Sequence, residues 1–383
     1  MVKRVPIETY CEKKISTLQK NAIGMIDYID ISSVDNIKKK IISFQTMNAK
    51  DAPSRAKQLL KKYDILVSTV RPNLNAVAVV ESETDNLMVG STGYCVLRCK
   101  DNMDFRYLFN FCQSQYFIDD MSSQATGASY PAVSTAIVRS SLIPNYPVDD
   151  QRRIASELDK ITDLIDKRKE QLEKLDALVK ARFVELFGDP VKNDMGWESK
   201  PLNEVCDGIG DGLHGTPVYD DGGDYPFING NNLIDGKIVI TPATKMVSEE
   251  TYTKHFIDIS TNAILISING TLGKLAFYNG EKVMLGKSAC YCNLKQNINK
   301  VFVYGVMKSD SFAEFLDNSS TKSTIKNVGL KAMREYKLIL PPTELQEQFT
   351  AFVEQTDKSK LEVQKSLEKL ELLKKALMQK YFG

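Results

Sequence analysis

QRRIASELDKITDLIDKRKEQLEKLDALVKARFVELFG (Gln151–Gly188) and QEQFTAFVEQTDKSKLEVQKSLEKLELLKKALMQKYFG (Gln346–Gly383) are two copies of one helical segment. A shift of 195 residues superposes their apolar rhythm and their Phe-Gly endings. In the first copy Ile154, Leu158, Ile161, Ile165, Leu172, Leu175, Val179 and Leu186 fall at spacings of three, four or seven, interrupted at Arg168 and Arg182. The second copy answers with Phe349, Val353, Thr356, Lys360, Val363, Leu367, Leu370, Lys374, Leu377 and Tyr381. An apolar seam repeating every seven residues, with Lys, Glu, Asp and Gln elsewhere, packs against another helix. Two ordinary amphipathic surface helices are the alternative. Each helix would run roughly 50 Å at 1.5 Å per residue, however, and needs a partner along most of its seam. The other copy is the obvious partner.

A non-helical block of roughly 150 residues precedes each helix. The reading is therefore α/β: two duplicated α/β domains, each followed by a long helix, the helices pairing as an antiparallel coiled coil with internal pseudo-two-fold symmetry. The expected domains are 1–149, a first spacer helix 150–189, a second domain 190–344 and a second spacer helix 345–383. Antiparallel pairing would put two compact bodies at opposite ends of a rod.

The 383 residues, 43% apolar and 26% charged, suit two ordinary domains with connecting helices and exclude a disordered or fibrous chain. No apolar run approaches 18 residues, and MVKRVPIETY lacks the apolar core of a signal peptide, so a soluble cytoplasmic protein without membrane contact is expected. Seven cysteines, an odd number without metal-type pairing, point to reduced thiols. Cys95, Cys99, Cys290 and Cys292 lie in alternating apolar stretches and read as strand interiors rather than ligands. A net charge of +1 argues against an indiscriminate polycation and leaves room for local basic surfaces.

In chain order, Val5–Gln19 reads as a short helical or irregular opening and Ile26–Ser32 as a strand. Pro53–Lys62 (PSRAKQLLKK) reads as a short helix, and Asp64–Val70 (DILVSTV) as a strand running into the turn of RPNLNA. Arg71 would then sit at a strand end, exposed but anchored. A strand pair is expected over Asn86–Val96, a helix over Phe105–Phe117, a polar loop in MSSQATGASYPAV and a strand over Ala136–Pro144. The second block repeats the plan: ILIS (Ile264–Ser267) answers ILVS (Ile65–Ser68), Met284 and Gly286 answer Met88 and Gly90, and Phe312 answers Phe117. Asp189–Gly196 reads as a hinge and the glycine-rich Cys206–Tyr225 as a long loop. After the matched strands the turns differ entirely, RPNLNA in one copy and NGTLGK in the other.

Candidate chemistry is sparse. His214 and His255 stand in unlike contexts without a nucleophile motif, and GTLGK (Gly270–Lys274) lacks the spacing of a phosphate loop. An enzyme with two equal sites would repeat its reactive residues with its scaffold, whereas here the scaffold repeats and the polar loop residues diverge. That is the pattern of two recognition modules. The groups suited to nucleic acid are Arg55, Lys57, Arg71, Asn73, Asn75, Gln124, Ser129 and Tyr130 in the first block. In the second they are Asn231, Asn232, Asn269, Thr271, Lys274, Lys287, Lys322 and Lys326, with Asn229, Ser320, Thr321, Ser323 and Thr324 nearby. Arg, Asn and Gln can pair with base edges, while Lys, Ser and Thr serve phosphates.

PSRAKQLLKKYDILVSTVRPNLNAV (Pro53–Val77), LILPPTELQEQFTAFV (Leu338–Val353), its twin LIPNYPVDDQRRIASEL (Leu142–Leu158) and the endings LVKARFVELFG and LLKKALMQKYFG resemble specificity subunits of type I restriction-modification systems. The resemblance covers the entire chain, with a single Pro147 before Asp150–Gln151 where the family pattern is fuller. It implies a non-catalytic subunit of a host-defence complex whose two target recognition domains each read one half of a bipartite double-stranded DNA target. It also implies a coiled coil that docks two modification (methyltransferase) subunits. No cofactor or metal would be bound by this chain. S-adenosylmethionine would belong to those subunits, and ATP and Mg to motor-nuclease restriction subunits. Domains centred on the ends of a rod of roughly 50 Å would lie about fifteen base pairs apart, less if their recognition surfaces face inward. A cytoplasmic protein-protein scaffold with duplicated binding modules is the alternative, and a direct enzyme comes third.

Overall fold

The computed structural model describes residues 2–19, 21–81 and 84–383. The chain falls into two compact units, Met1–Glu170 with Gln364–Gly383, and Gln171–Val363. Each unit thus combines one globular block with part of both long helices, Val148–Phe187 and Thr343–Phe382, of 40 residues each. Asp149, Asp150 and Glu344 occupy the first turns, where carboxylates complement the positive helix end. The first helix stops at Gly188, whose φ of +69° suits the left-handed cap that glycine adopts without a Cβ penalty.

The two helices pair antiparallel within each unit. In the first, Tyr381 Oη donates to Glu157 at 2.7 Å and Lys169 meets Glu371 at 3.5 Å. In the second, Lys360 meets Asp176 at 2.7 Å and the Phe183 and Phe349 rings lie 5.5 Å apart. Of the seam positions, Ile154, Leu158, Ile161, Ile165, Phe349, Val363 and Leu367 are buried, and Leu172, Leu175, Val179, Val353, Leu370 and Leu377 half-buried. The fold is two duplicated α/β blocks, each followed by a long helix of an antiparallel coiled coil. Missing from the periodic reading are Phe187 and Phe382, both fully buried. Phe382 packs on Tyr107 and Phe111 at 5.3 and 5.8 Å between ring centroids, and Phe187 packs on Phe302 and Phe349 at 4.8 and 5.6 Å. Each helix therefore ends against the block contributed by the other repeat.

The first block holds a four-stranded sheet in the order Gln45–Asn48, Met25–Ile29, Leu87–Ser91, Ala56–Leu59 and a three-stranded sheet in the order Tyr94–Leu97, Ile65–Ser68, Val77–Val79. Ile65–Ser68 is buried on both faces, as its β-branched, unbroken apolar run demands. Ile65 and Val67 join the core that contains Ile154, Leu158 and Phe382, whereas Leu66 faces a second core with Ile29 and Val96. The second block repeats this arrangement around Ala263–Ser267: Ile264 and Ile266 pack with Phe187 and Phe302, and Leu265 with Ile228 and Leu285.

Several expectations are corrected. Pro53–Lys62 is not a helix, since Ala56–Leu59 pairs antiparallel with Leu87–Ser91 and the Gln58 amide donates to Ser91 O and Tyr94 O at 2.7 and 2.8 Å. Long-range pairing overrides the helix propensity of AKQLL. The strands over Asn86–Val96 do not pair with each other; Leu87–Ser91 joins Met25–Ile29 and Tyr94–Leu97 joins Ile65–Ser68. The helix over Phe105–Phe117 is two, Phe105–Cys112 and Gln115–Ser123, broken where Ser114 caps the second. Ala136–Pro144 is largely helical (Thr135–Ser140) before a short strand, Leu142–Pro144, and the opening segment contains a strand, Arg4–Pro6, that pairs with it. Within Cys206–Tyr225, Cys206–Asp211 is a strand against Ala289–Leu294. Its glycine serves packing, because a Cβ at Gly210 would stand 2.7 Å from Tyr291 Oη. With the turn caps Asp30 and Asn229 aligned, register also moves both matches of this strand by a residue: Tyr28 and Ile29 pair with Val89 and Gly90, and Phe227 and Ile228 with Met284 and Leu285, so Met284 answers Val89 and Leu285 answers Gly90.

Candidate nucleic-acid interface

In each block the central strand ends in a loop clamped by backbone hydrogen bonds. Beyond Ile65–Ser68, Thr69 donates to Gly93 O through both its N–H and its hydroxyl at 2.9 Å, and Arg71 N–H donates to Pro131 O at 2.7 Å. Arg71 and Asn75 have φ of +49° and +47° and bracket the turn Pro72–Leu74. Left-handed backbone is uncommon outside glycine and held here by these bonds. Arg71 is exposed, and its guanidinium carbon lies 4.9 Å from the centroid of Tyr130, a cation–π contact with a residue from a different loop. Thr92, beside Gly93, donates its N–H to Arg55 O at 2.9 Å, and Lys57 borders a cleft with Thr17, Gln19 and Thr92. Tyr130, Arg71, Arg55 and Lys57 thus sit on segments linked at their backbones.

The remaining first-block candidates divide. Asn73 and Ser129 are exposed, and exposed Gln124 donates to Asp120 at 2.7 Å. Asn75 is buried: its amide donates to Cys112 O at 2.8 Å and its side-chain oxygen accepts from Lys39 Nζ at 2.8 Å. Its side chain holds the turn and does not face outward.

The second block reproduces the clamp with other side chains. Ile268 N–H donates to Ser288 O at 3.0 Å, and Gly270 N–H to Lys326 O at 2.9 Å. Asn269 donates to Asn327 at 3.2 Å, and the Thr271 carbonyl accepts from Ser267 Oγ at 2.6 Å. Lys274 Nζ lies 3.3 Å from Asn231 Oδ1. Gly230 N–H donates to Ser288 Oγ, which in turn donates to Asn229, both at 3.0 Å. That approach requires glycine, because a Cβ at position 230 would stand 2.6 Å from Ser267 Cβ. Asn232 donates to Val239 O at 3.0 Å and caps its own turn, a structural task. Exposed Lys287 donates its N–H to Leu213 O at 3.1 Å, which brings His214 alongside, itself 2.7 Å from Asp211. Lys322 is exposed, and Lys326 pairs with Asp317. The clamp leaves cations and amides at the strand ends of both blocks, which is the chemistry of phosphate and base-edge recognition.

A family model for the type I restriction modification DNA specificity domain matches residues 7–176 and 195–372. The chain belongs to this family. The resemblance read from the helices and connectors holds. Among curated relatives, the HindI specificity subunit of Haemophilus influenzae is 32% identical over 200 residues, covering 47% of this chain and 42% of that protein. The putative MjaX specificity subunit of Methanocaldococcus jannaschii is 26% identical over 197 residues, covering 49% of this chain and 45% of that one. These matches span less than half the length of either relative. The family's fold extends over the whole chain: a solved chain from a study of complex assembly and conformational transition of the type I R-M system aligns over 99% of this chain and 97% of its own at a TM-score of 0.64 and 23% identity. The S subunit from M. genitalium aligns over 99% and 96% at 0.57 and 16%.

Two residues near these loops are not marked by any local pattern in the sequence. His214 follows Leu213, which bridges Gly286 across the block and so brings the segment of His214 to that of Lys287. Ile325 is apolar and carries no recognition signal of its own, although it lies 195 residues after Tyr130. Among the described residues, no group of three His, Cys, Asp or Glu could hold a metal ion, and no helix is long and apolar enough to cross a membrane.

Proposed function

We propose that this chain is the DNA-reading subunit of a type I restriction-modification complex, with recognition domains 1–149 and 190–344 and spacer helices 150–189 and 345–383. Each domain reads one short half-site, and the gap left unread follows from the length of the paired helices. The observation that carries this reading is one backbone clamp built twice with unlike side chains on it: Arg71 and Tyr130 in one block, Lys274, Asn231 and Lys326 in the other. Shared scaffold with divergent polar loops suits two readers of different sequences. Chemistry belongs to partners: two modification subunits, which use S-adenosylmethionine and dock on the coiled coil, and restriction subunits, which use ATP and Mg. The DNA interface proposed comprises Arg55, Lys57, Arg71, Asn73, Ser129, Tyr130, Asn231, Asn269, Thr271, Lys274, Lys287, Lys322 and Lys326, with Gln124 at its margin. Asn75 and Asn232 support it from behind.

The test is methylation mapping with the full chain and its modification subunit, followed by an electrophoretic shift comparing the mapped site with random DNA at fixed salt. A bipartite methylated motif, bound more tightly than random sequence, is expected. Equal binding to all sequences, or partner capture indifferent to DNA, would overturn the reading in favour of a protein scaffold.

A further inference from the structure

Tyr130 and Ile325 occupy one position of the repeat, 195 residues apart. Each stands at the tip of a short hairpin. In the first block Thr126 and Ala132 exchange backbone hydrogen bonds at 3.0 and 2.9 Å; in the second Thr321 N–H donates to Asn327 O at 3.0 Å. Each hairpin is stitched twice to the end of the central strand. Val133 N–H donates to Thr69 O at 2.9 Å and Arg71 N–H to Pro131 O at 2.7 Å; Val328 N–H donates to Ile268 O and Gly270 N–H to Lys326 O, both at 2.9 Å. The tips are therefore rigidly presented, and their side chains are 68% and 63% exposed.

A single exposed apolar side chain is ordinary. Here it recurs at the same clamped position while its neighbours change from GASYP to KSTIK, and cations accompany it both times: Arg71 over the Tyr130 ring, Lys326 next in sequence to Ile325. Phosphate binding alone would call for the cations and leave an apolar tip without a use. Duplex DNA offers apolar surface amid charge in the thymine methyl and the base planes, both reached through a groove.

We infer that Tyr130 and Ile325 are equivalent specificity-determining tips, each making the apolar base contact of its half-site, with Arg71 at a base edge beside Tyr130 and Lys326 on the flanking phosphate beside Ile325. Ile325 has no flat surface and suits a thymine methyl. Tyr130, one side of its ring facing Arg71, presents a rigid ring edge and plane to a base. The inference rests on the DNA-reading function proposed above and assigns to that function two residues whose removal changes no charge.

The experiment selects bound duplexes from a randomised library, using the full chain with its modification subunit, for wild type, Tyr130→Ala, Ile325→Ala and the control Tyr130→Phe. Tyr130→Ala should lose preference at one or two adjacent positions of one half-site, by roughly 5- to 150-fold, and Ile325→Ala should do so in the other half-site. The slope of binding against salt should stay at the wild-type value, since no phosphate contact is lost. Tyr130→Phe should retain the wild-type preference, and unchanged unfolding midpoints should accompany all variants. Wild-type preference in both alanine variants, or an equal loss across all sequences, would overturn the assignment while leaving a sequence-reading subunit intact. A wild-type complex without sequence preference would instead remove the parent function and the tips with it.

Discussion

Around Thr69–Gly93 in the first block and Ile268–Ser288 in the second, the same backbone bonds close the same corner at 2.9 and 3.0 Å. A few residues further on, RPNLNA and NGTLGK have little in common. The first block ends its strand in a left-handed arginine stacked on tyrosine, whereas the second ends in Gly270 and places lysines around asparagine amides. Backbone hydrogen bonds are indifferent to side-chain identity, so a duplicated scaffold keeps its corner while its loops diverge. The blocks also differ beneath this surface. Lys39 packs under the turn of the first and donates to Asn75, whereas Lys308 of the second pairs with Asp235.

The comparison is broken most severely at the helix ends. Phe382→Ala should destabilise the first unit and Phe187→Ala the second, each by about 3–5 kcal/mol, because a buried ring leaves a cavity that its neighbours fill only partly. Denaturant unfolding followed by hydrogen exchange in each block is the measurement. Loss confined to the block that precedes the mutated helix in sequence would contradict the crossed packing of the Phe-Gly ends.

A somewhat smaller asymmetry is expected along the seam. Leu367 is buried and Leu172 only half-buried. Leu367→Asp should therefore lower stability by about 2–4 kcal/mol, and Leu172→Asp by less, since its charge can reach water. Wild-type scattering dimensions and unchanged docking of modification subunits in both variants would count against a seam that holds the complex.

At the loops the proposed function places the effects on DNA binding rather than on the fold. Arg71→Ala should weaken binding by about 1–3 kcal/mol, with the loss concentrated in one half-site, because its guanidinium can pair with a base edge. Lys287→Ala should weaken all sequences alike and reduce the salt slope by about one. Identical behaviour of the two variants would erase the distinction between an arginine reader and a lysine anchor.

The smallest effect is one of pH. Burial, reinforced by the Lys374 charge and only partly offset by Asp35, lowers the Lys39 pKa from 10.5 to about 8. The folded state then binds its proton less tightly than the unfolded chain, so the contribution of Lys39 to the stability of the first block should rise as pH climbs from about 8 toward 10.5, while the raised thiols of Cys95, Cys99 and Cys112 oppose it from about pH 9 upward. Lys374, itself lowered by burial, acts in the same sense, while the raised phenols of buried Tyr94 and Tyr107 oppose both from about pH 10 upward. Lys308 has the opposite sign. Burial works against its charge, but Tyr304 and Asp235 beside it outweigh that and raise its pKa above 10.5. Its contribution is present below 10.5 and lost as pH rises through the folded value. Between about pH 8 and 10, Lys39→Met should flatten the rise that Lys39 contributes to the first block and leave the profile of the second block unchanged. Identical profiles of the first block in wild type and Lys39→Met would show that Lys39 is fully solvated.

The resemblance to the family was legible in the connector and helix-end motifs, and residue order alone determined the duplication, the two long helices and most of their apolar seam. These rest on periodicity, which is local and repeated: Ile154, Leu158 and Ile161 announce a helix face without reference to anything else in the chain. Arg71 and Tyr130 were also legible, as polar or aromatic residues in a turn and a loop. Only the tertiary structure decided that they touch, because the contact depends on Val70 bridging Ala132 across the block. The same dependence hid the rest. AKQL is a strand because it pairs with Leu87–Ser91; Cys206–Asp211 is a strand because it pairs with Ala289–Leu294, Gly210 leaving room for Tyr291; and Asn75 turns inward because Cys112 and Lys39 meet it there. Phe187 and Phe382 lie just beyond the heptad seam, and their burial is set by rings contributed from Tyr107 and Phe302 in the opposite repeats. A hydrogen bond or ring contact between residues tens to hundreds of positions apart leaves no local pattern, so those roles became visible only once folding had brought the partners together.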